Sequence, residues 1–251
     1  MIVTFIHHSC FLVEVDDKVL IFDYFDGDKL NGYTFYGKLP EYEADTKIYM
    51  FASHSHKDHY DMDILRLAEK YKNIQYIFSK DIRIAPHFLK KHGIDPSVRE
   101  KVTFVTSDKK YKVDDLTIKT LRSTDAGVAF YVETGGISMY HGGDLNNWKW
   151  DGAGDLTNGV QERNYKFQIR QLKGLPIHFA FVPMDPRQGL YQYDGIEFFL
   201  QETEAEYVFP MHMWQDYSGI ARLKGKISNA HMAERIMDIE RENQTFLFDG
   251  N

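Results

Sequence analysis

A single cysteine, Cys10, among 251 residues leaves no internal disulfide to form and suits a reducing compartment. Set beside Phe11 and Leu12 in a strand-like run, it reads as a small buried hydrophobe. Long apolar runs are also missing. No segment approaches the ~20 apolar residues a membrane span requires. Met1-Ile2-Val3-Thr4-Phe5-Ile6-His7-His8 shows no basic leader, so no signal peptide is expected. Basic charge is short as well: 30 Lys and Arg are scattered, and the formal charge of −7 argues against a nucleic-acid groove. The doublets Lys90-Lys91 and Lys109-Lys110 read as solvated helix and turn positions. These absences leave a cytoplasmic protein with a small-molecule substrate and no nucleic-acid or membrane partner. A homo-oligomer is allowed.

What is present is core material, 43% hydrophobic and 15% aromatic, enough for one α/β domain over residues 1–251. Strands are expected at 2–6, 11–15 and 19–22, with Asp16-Asp17 as a tight turn, then at 48–52 and 74–78. Apolar spacing predicts a helix across Ile64-Leu65-Leu67-Ala68-Tyr71 and another over 82–92 closed by Gly93. Further strands are expected at 102–105, 116–121, 128–133, 137–140, 179–182 and 245–248. Helices are expected near 164–172, 195–202 and 231–241. The pattern by itself says mixed α/β with many strands.

The chemistry is concentrated in Ser53-His54-Ser55-His56-Lys57-Asp58-His59, which follows the apolar run Ile48–Ala52. Three imidazoles and one carboxylate in six residues are poor core material and good metal ligands, suited to zinc or a similar first-row divalent ion. On an extended segment His54 and His56 point the same way and can grip one ion. Asp58 and His59 lie just past the strand end, where the chain can turn toward a second.

With Gly142-Gly143-Asp144 after the strand Ile137–His141, and His212 after Tyr207–Met211, this motif resembles the metallo-β-lactamase-fold superfamily of metal-dependent hydrolases. His8-Ser9 is similar to the His-Ser or His-Ala of its lactonase-like (ascorbate-6-phosphate lactonase-like) branch. The resemblance implies a four-layer αββα sandwich of two mixed β-sheets with helices on the outer faces. It implies two divalent ions, Zn2+ foremost with Mn2+ or Fe2+ as alternatives, held by His54, His56, Asp58, His59, Asp144 and His212. In the family a third His serves the first metal. The equivalent stretch here, Leu121–Phe130, has none, and Asp125 is the nearest substitute, with turn capping as its other role. A metal-bridging hydroxide would then cleave an ester, lactone or phosphodiester in a small anionic or polar metabolite. Asp58 would orient that nucleophile, and His141 would protonate the leaving group or orient a ligand.

Three further residues read as substrate contacts. His8 ends the first strand. Trp148 lies with Trp150 in the irregular stretch 145–159, where the pair either stacks on a ring or fills the loop's own core. Arg187, in Pro183–Gly189, either binds an anionic group or pairs with Asp185. Other readings on this scaffold are a nuclease or nucleotide phosphodiesterase, for which no basic face is seen, and a non-catalytic ligand-binding protein with a degraded metal site. The di-iron electron-transfer branch carries an acidic residue where this chain has His56, which disfavours that reading.

Overall fold

The computed structural model describes residues 1–30 and 32–249. Alternation of apolar residues with short turns produces thirteen strands among the described residues, divided between two sheets. The sheets coincide with two compact units, Met1–Thr106 together with the segment from Glu242 on, and Ser107–Arg241.

The first unit carries β1 (Ile2–His7), β2 (Cys10–Val15), β3 (Lys18–Phe22), β4 (Lys47–Ala52), β5 (Ile74–Ser79) and β6 (Val102–Val105). Its sheet is completed by β13 (Gln244–Leu247), in the order β13-β1-β2-β3-β4-β5-β6. Asp16 takes the left-handed φ of +53° that the two-residue turn between β2 and β3 requires. β1 to β3 form an antiparallel meander, and β3 to β6 run parallel. β1, β3 and β4 therefore end on the same edge of the sheet. One face buries Leu12, Ile21, Met50, Tyr76 and Phe78 in a cluster with Ile64, Leu65 and Leu89 from the helical segments α1 (Leu67–Lys70, entered through the 3-10 turn Met62–Arg66) and α2 (Pro86–Lys91).

The second unit holds β7 (Lys110–Val113), β8 (Leu116–Arg122), β9 (Val128–Thr134), β10 (Ile137–His141), β11 (Phe179–Pro183) and β12 (Tyr207–Met211), in the order β12-β11-β10-β9-β8-β7. β7 to β10 are antiparallel, and β10, β11 and β12 are parallel. Its helices are α3 (Asp155–Arg170), α4 (Asp194–Glu202), α5 (Gly219–Lys226) and α6 (Ala230–Glu234). Two mixed sheets with helices are the α/β metallo-β-lactamase fold that the motif order implies. Among the described residues no helix is long and apolar enough to cross a membrane.

Several elements differ from their sequence expectation. The helix expected from 82 begins only at Pro86, because the residue before a proline is pushed to extended geometry and Ala85 sits at ψ 140°. Lys110 opens strand β7, where a solvated turn is expected. α3 starts at Asp155, so the irregular stretch after Asp144 is shorter than expected. α6 stops at Glu234 where a helix to 241 is expected: Val208 N donates to Arg235 O and Met237 N to Val208 O, and this strand-like pairing displaces helical hydrogen bonds. α5 has no counterpart in the sequence reading.

Candidate functional site

In parallel sheets the carboxyl ends of strands are where ligands gather, and the predicted residues of the first unit lie there. His8 follows β1, and His54 to His59 follow β4. The segment after Ala52 bends at once, with His59 N and Tyr60 N both donating to His56 O at 3.0 and 2.9 Å. His54 and His56 thus meet through a turn, with the two ring centroids 4.5 Å apart, instead of by the alternation of an extended strand. His54 is buried and His56 exposed. The ring of His59 packs 4.2 Å from that of His54. His8 Nε2 lies 3.5 Å and His59 Nε2 3.9 Å from Asp58 Oδ2.

Asp23, which the sequence reading passes over, organises this cluster. It is fully buried just after β3 and accepts from Ser53 N at 2.7 Å and Ser53 Oγ at 2.6 Å. It also accepts from His59 Nδ1 at 2.7 Å. A carboxylate only accepts, so neutral His59 carries its proton on Nδ1 and its lone pair on Nε2. Ser53 gives its hydroxyl proton to Asp23, so its oxygen accepts from His54 Nδ1 at 2.9 Å, and His54 likewise carries its lone pair on Nε2. One carboxylate fixes the tautomer of two imidazoles, directly for one and through a serine for the other.

The second unit repeats the device. Asp144, Asp185 and His212 follow β10, β11 and β12, three neighbouring parallel strands. His212 Nδ1 is 3.0 Å from Asp185 Oδ2, and its Nε2 is 3.4 Å from Asp144 Oδ1. Asp185 also receives Trp214 Nε1 at 3.2 Å and the Arg187 guanidinium, with Nη2 at 2.6 Å. Burial by itself would raise the Asp185 pKa. The hydrogen bonds from His212 and Arg187 outweigh it and hold the carboxyl well below the usual carboxylate range. Asp125 is exposed in the turn between β8 and β9, and its N–H donates to Ser123 Oγ at 3.1 Å. A carboxylate oxygen of Asp125 and one of Asp144 lie within 4.8 Å of each other, an approach that favours a bound cation because like charges otherwise repel. Thr124 fastens the two turns together, donating to Asn146 O at 2.6 Å and accepting from Asn146 N at 3.0 Å.

His141 is buried and accepts from Gly143 N through Nδ1 at 3.2 Å, so the neutral ring keeps its proton on Nε2 and braces the turn that carries Asp144. Trp148 donates from Nε1 to Asp144 O at 2.9 Å and meets the His212 ring edge-on at 5.8 Å. Arg187 pairs with Asp185 and stacks over Trp214 at 4.3 Å.

Backbone strain marks the same places. His8, Asp23 and His212, each just past a strand end, adopt positive φ of 47°, 49° and 60°. Such conformations cost energy and gather at functional sites, with His and Asp among the residues that tolerate them best. A Phe-Asp step after an apolar run is the one trace Asp23 leaves in the sequence; Asp185 leaves a similar one.

Comparison with known proteins bears on the family and the fold. A family model described as the beta-lactamase superfamily domain matches residues 2–151. No curated protein matches the chain. Among solved structures, Igni18, a metallo hydrolase from the archaeon Ignicoccus hospitalis, is similar at TM-score 0.63 and 18% identity, covering 99% of both chains. An isothiocyanate hydrolase from Delia radicum gut bacteria is similar at TM-score 0.57 and 13% identity, again over 99% of both. The diiron β-hydroxylase CmlA from Streptomyces venezuelae is similar at TM-score 0.54 and 12% identity, covering 84% of this chain and 44% of that one. At these identities the likeness is one of fold.

Proposed function

The chain belongs to the metallo-β-lactamase superfamily of hydrolases, and from that premise we propose that it is a dinuclear metal-dependent hydrolase of small, polar or anionic esters, lactones or phosphodiesters. The ligands in this reading are His54, His56, Asp58, His59, Asp125, Asp144 and His212. Zn2+ is the foremost ion, with Mn2+ or Fe2+ as alternatives. The observation that carries the reading is the tautomer control: His54, His59 and His212 are each held through Nδ1 by Ser53, Asp23 or Asp185, which directs a lone pair from Nε2. Metal-ligating histidines are oriented in this way.

Bound divalent ions supply Lewis acidity, activating water near neutral pH and polarising the bond to be cleaved. The chain's own residues do the rest. Asp58, facing His8 and His59, accepts a proton from the attacking water and fixes its direction. His8, beside Asp58, contacts the substrate. His141 braces the Asp144 turn and holds the proton on Nε2 that a leaving group would need. Trp148 braces Asp144 through its backbone carbonyl, and Arg187, paired with Asp185 and stacked over Trp214, presents its remaining guanidinium edge to an anionic substrate group. The similarity of His8-Ser9 to the lactonase-like branch favours a cyclic or linear ester over a phosphodiester, and the acidic balance favours a cytoplasmic small-molecule enzyme over a nuclease.

Metal analysis tests this reading. Wild type purified without added metal should hold about two equivalents, and Asp125→Ala about one. Hydrolysis of a lactone or aryl ester should vanish on chelation and return with Zn2+ or Mn2+. One equivalent or none in both proteins would remove Asp125 from the ligand set.

A further inference from the structure

Two of the three tryptophans of the chain meet one histidine, and the third stacks on one of those two. Trp148 and Trp214 each meet the His212 ring edge-on, at 5.8 and 5.6 Å, and Trp150 stacks on Trp148 at 6.0 Å with the ring planes 3° apart. The two stacked indoles have different environments. Trp148 is 8% exposed and its Nε1 is tied to Asp144 O, so it fills the loop's core and braces a site residue. Trp150 remains 38% exposed, so it is not core filler.

Nor is Trp150 loosely held. Its N–H donates to Asn158 Oδ1 at 3.0 Å, and its C=O accepts from Asn158 Nδ2 at 3.0 Å, a paired clasp from helix α3. The preceding residue is fastened too: Gln188 Nε2 donates to Lys149 O at 3.2 Å and to Asn147 O at 2.7 Å. Lys149 Nζ is bound to Asp194 at 2.6 Å. An indole held rigid at the backbone, supported on one face and wet elsewhere gives up little entropy when a ligand stacks on it.

We propose that Trp150 is a stacking platform for a flat aromatic or heteroaromatic group of the substrate, next to the scissile bond held at Asp144 and His212. The inference rests on the hydrolase reading and narrows it to substrates with a planar ring near the cleaved bond. Trp148 acts here as a positioning residue, since it touches Trp150, Asp144 and His212.

The test compares two ligands with one carbon frame and one carboxylate, 2-naphthoate and its saturated decahydro analogue, binding to the metal-loaded protein by calorimetry. Only the flat ring can stack. The platform requires 2-naphthoate to bind roughly tenfold tighter, the scale of one aromatic stacking contact. Trp150→Ala should abolish that preference and Trp150→Phe should keep most of it, with unfolding curves of both variants checked against wild type. Equal affinities, no binding of either, or a preference that survives Trp150→Ala would each overturn the proposal. Phenyl and cyclohexyl acetate hydrolysis is read separately. A stacking preference without turnover of any ester, lactone or phosphodiester offered would sink the hydrolase reading and leave the platform standing.

Discussion

Asp23 joins chain segments that are 30 and 36 residues apart through hydrogen bonds of 2.6 to 2.7 Å, and none of them involves a predicted ligand-binding atom. Its work is indirect: it sets which nitrogen of His59 carries the lone pair and, through Ser53, does the same for His54. Asp23→Asn keeps the shape but can present an N–H where His59 needs an acceptor. Loss of such an outer carboxylate typically costs about 10–100-fold in metal affinity. Competition against a chelating dye should therefore show a Kd for Zn2+ raised by that factor, and an unchanged Kd would sink the tautomer argument. A second residue reports through pH. His7 is buried, and burial pushes its pKa down to about 4 against the hydrogen bond to Phe25 O, which raises it. Its unfolded pKa is about 6.5, so the unfolded chain binds the extra proton first and stability falls as pH drops from about 6.5 toward 4. For the metal-free protein, His7→Gln should lose about 2 kcal/mol less than wild type between pH 7 and pH 5, measured by urea unfolding. Equal losses would place His7 elsewhere in the linkage. The candidate ligands are legible in the sequence because a metal needs particular side chains at close spacing. Asp23 and Asp185 are not, since a lone Asp after an apolar run is indistinguishable from a turn cap until the fold brings its partners in.

Elements show the same division between local signal and tertiary override. The strands are read nearly whole, because alternation and short turns are local properties. Helix limits are read poorly. The irregular stretch after Asp144 is expected to run to Gly159, yet α3 passes straight through that residue although glycine is a weak helix former. Nothing lies within 4 Å of where a Cβ on Gly159 would stand, so Gly159→Ala should stabilise the protein by about 0.5–1 kcal/mol. Gly37 should behave in the opposite way. A Cβ there would lie 2.1 Å from Ile6 O, and the Gly37 N–H donates to Glu242 Oε2 at 2.7 Å, pinning residues 36–38 between β1 and the segment leading to β13. Backbone cannot retreat as a flexible side chain can. Gly37→Ala should cost about 1–3 kcal/mol or more, read as a lower urea midpoint at unchanged slope. If both alanine variants shifted the midpoint the same way, propensity rather than packing would rule these sites.

At the scale of the whole molecule, metal binding and folding share one free energy. An ion that binds the native chain and not the unfolded one stabilises it by RT ln(1 + [L]/Kd), about 4 kcal/mol when the free metal is a thousandfold above Kd. Thermal unfolding at buffered free Zn2+ should then show a midpoint well above that of the chelated protein, returning on chelation. The residue-scale prediction fixes how much of this survives in Asp23→Asn. With Kd raised about 10–100-fold at the same free Zn2+, the increment should shrink to between about 3 and 1 kcal/mol. The chelated forms of wild type and variant serve as the baseline, because the lost Asp23 hydrogen bonds lower both states of the variant alike. A metal-induced increment of equal size in the two proteins would mean that the histidines bind metal without tautomer control. No increment in wild type would mean that the folded chain holds no ion at all, and the hydrolase reading would fall with it.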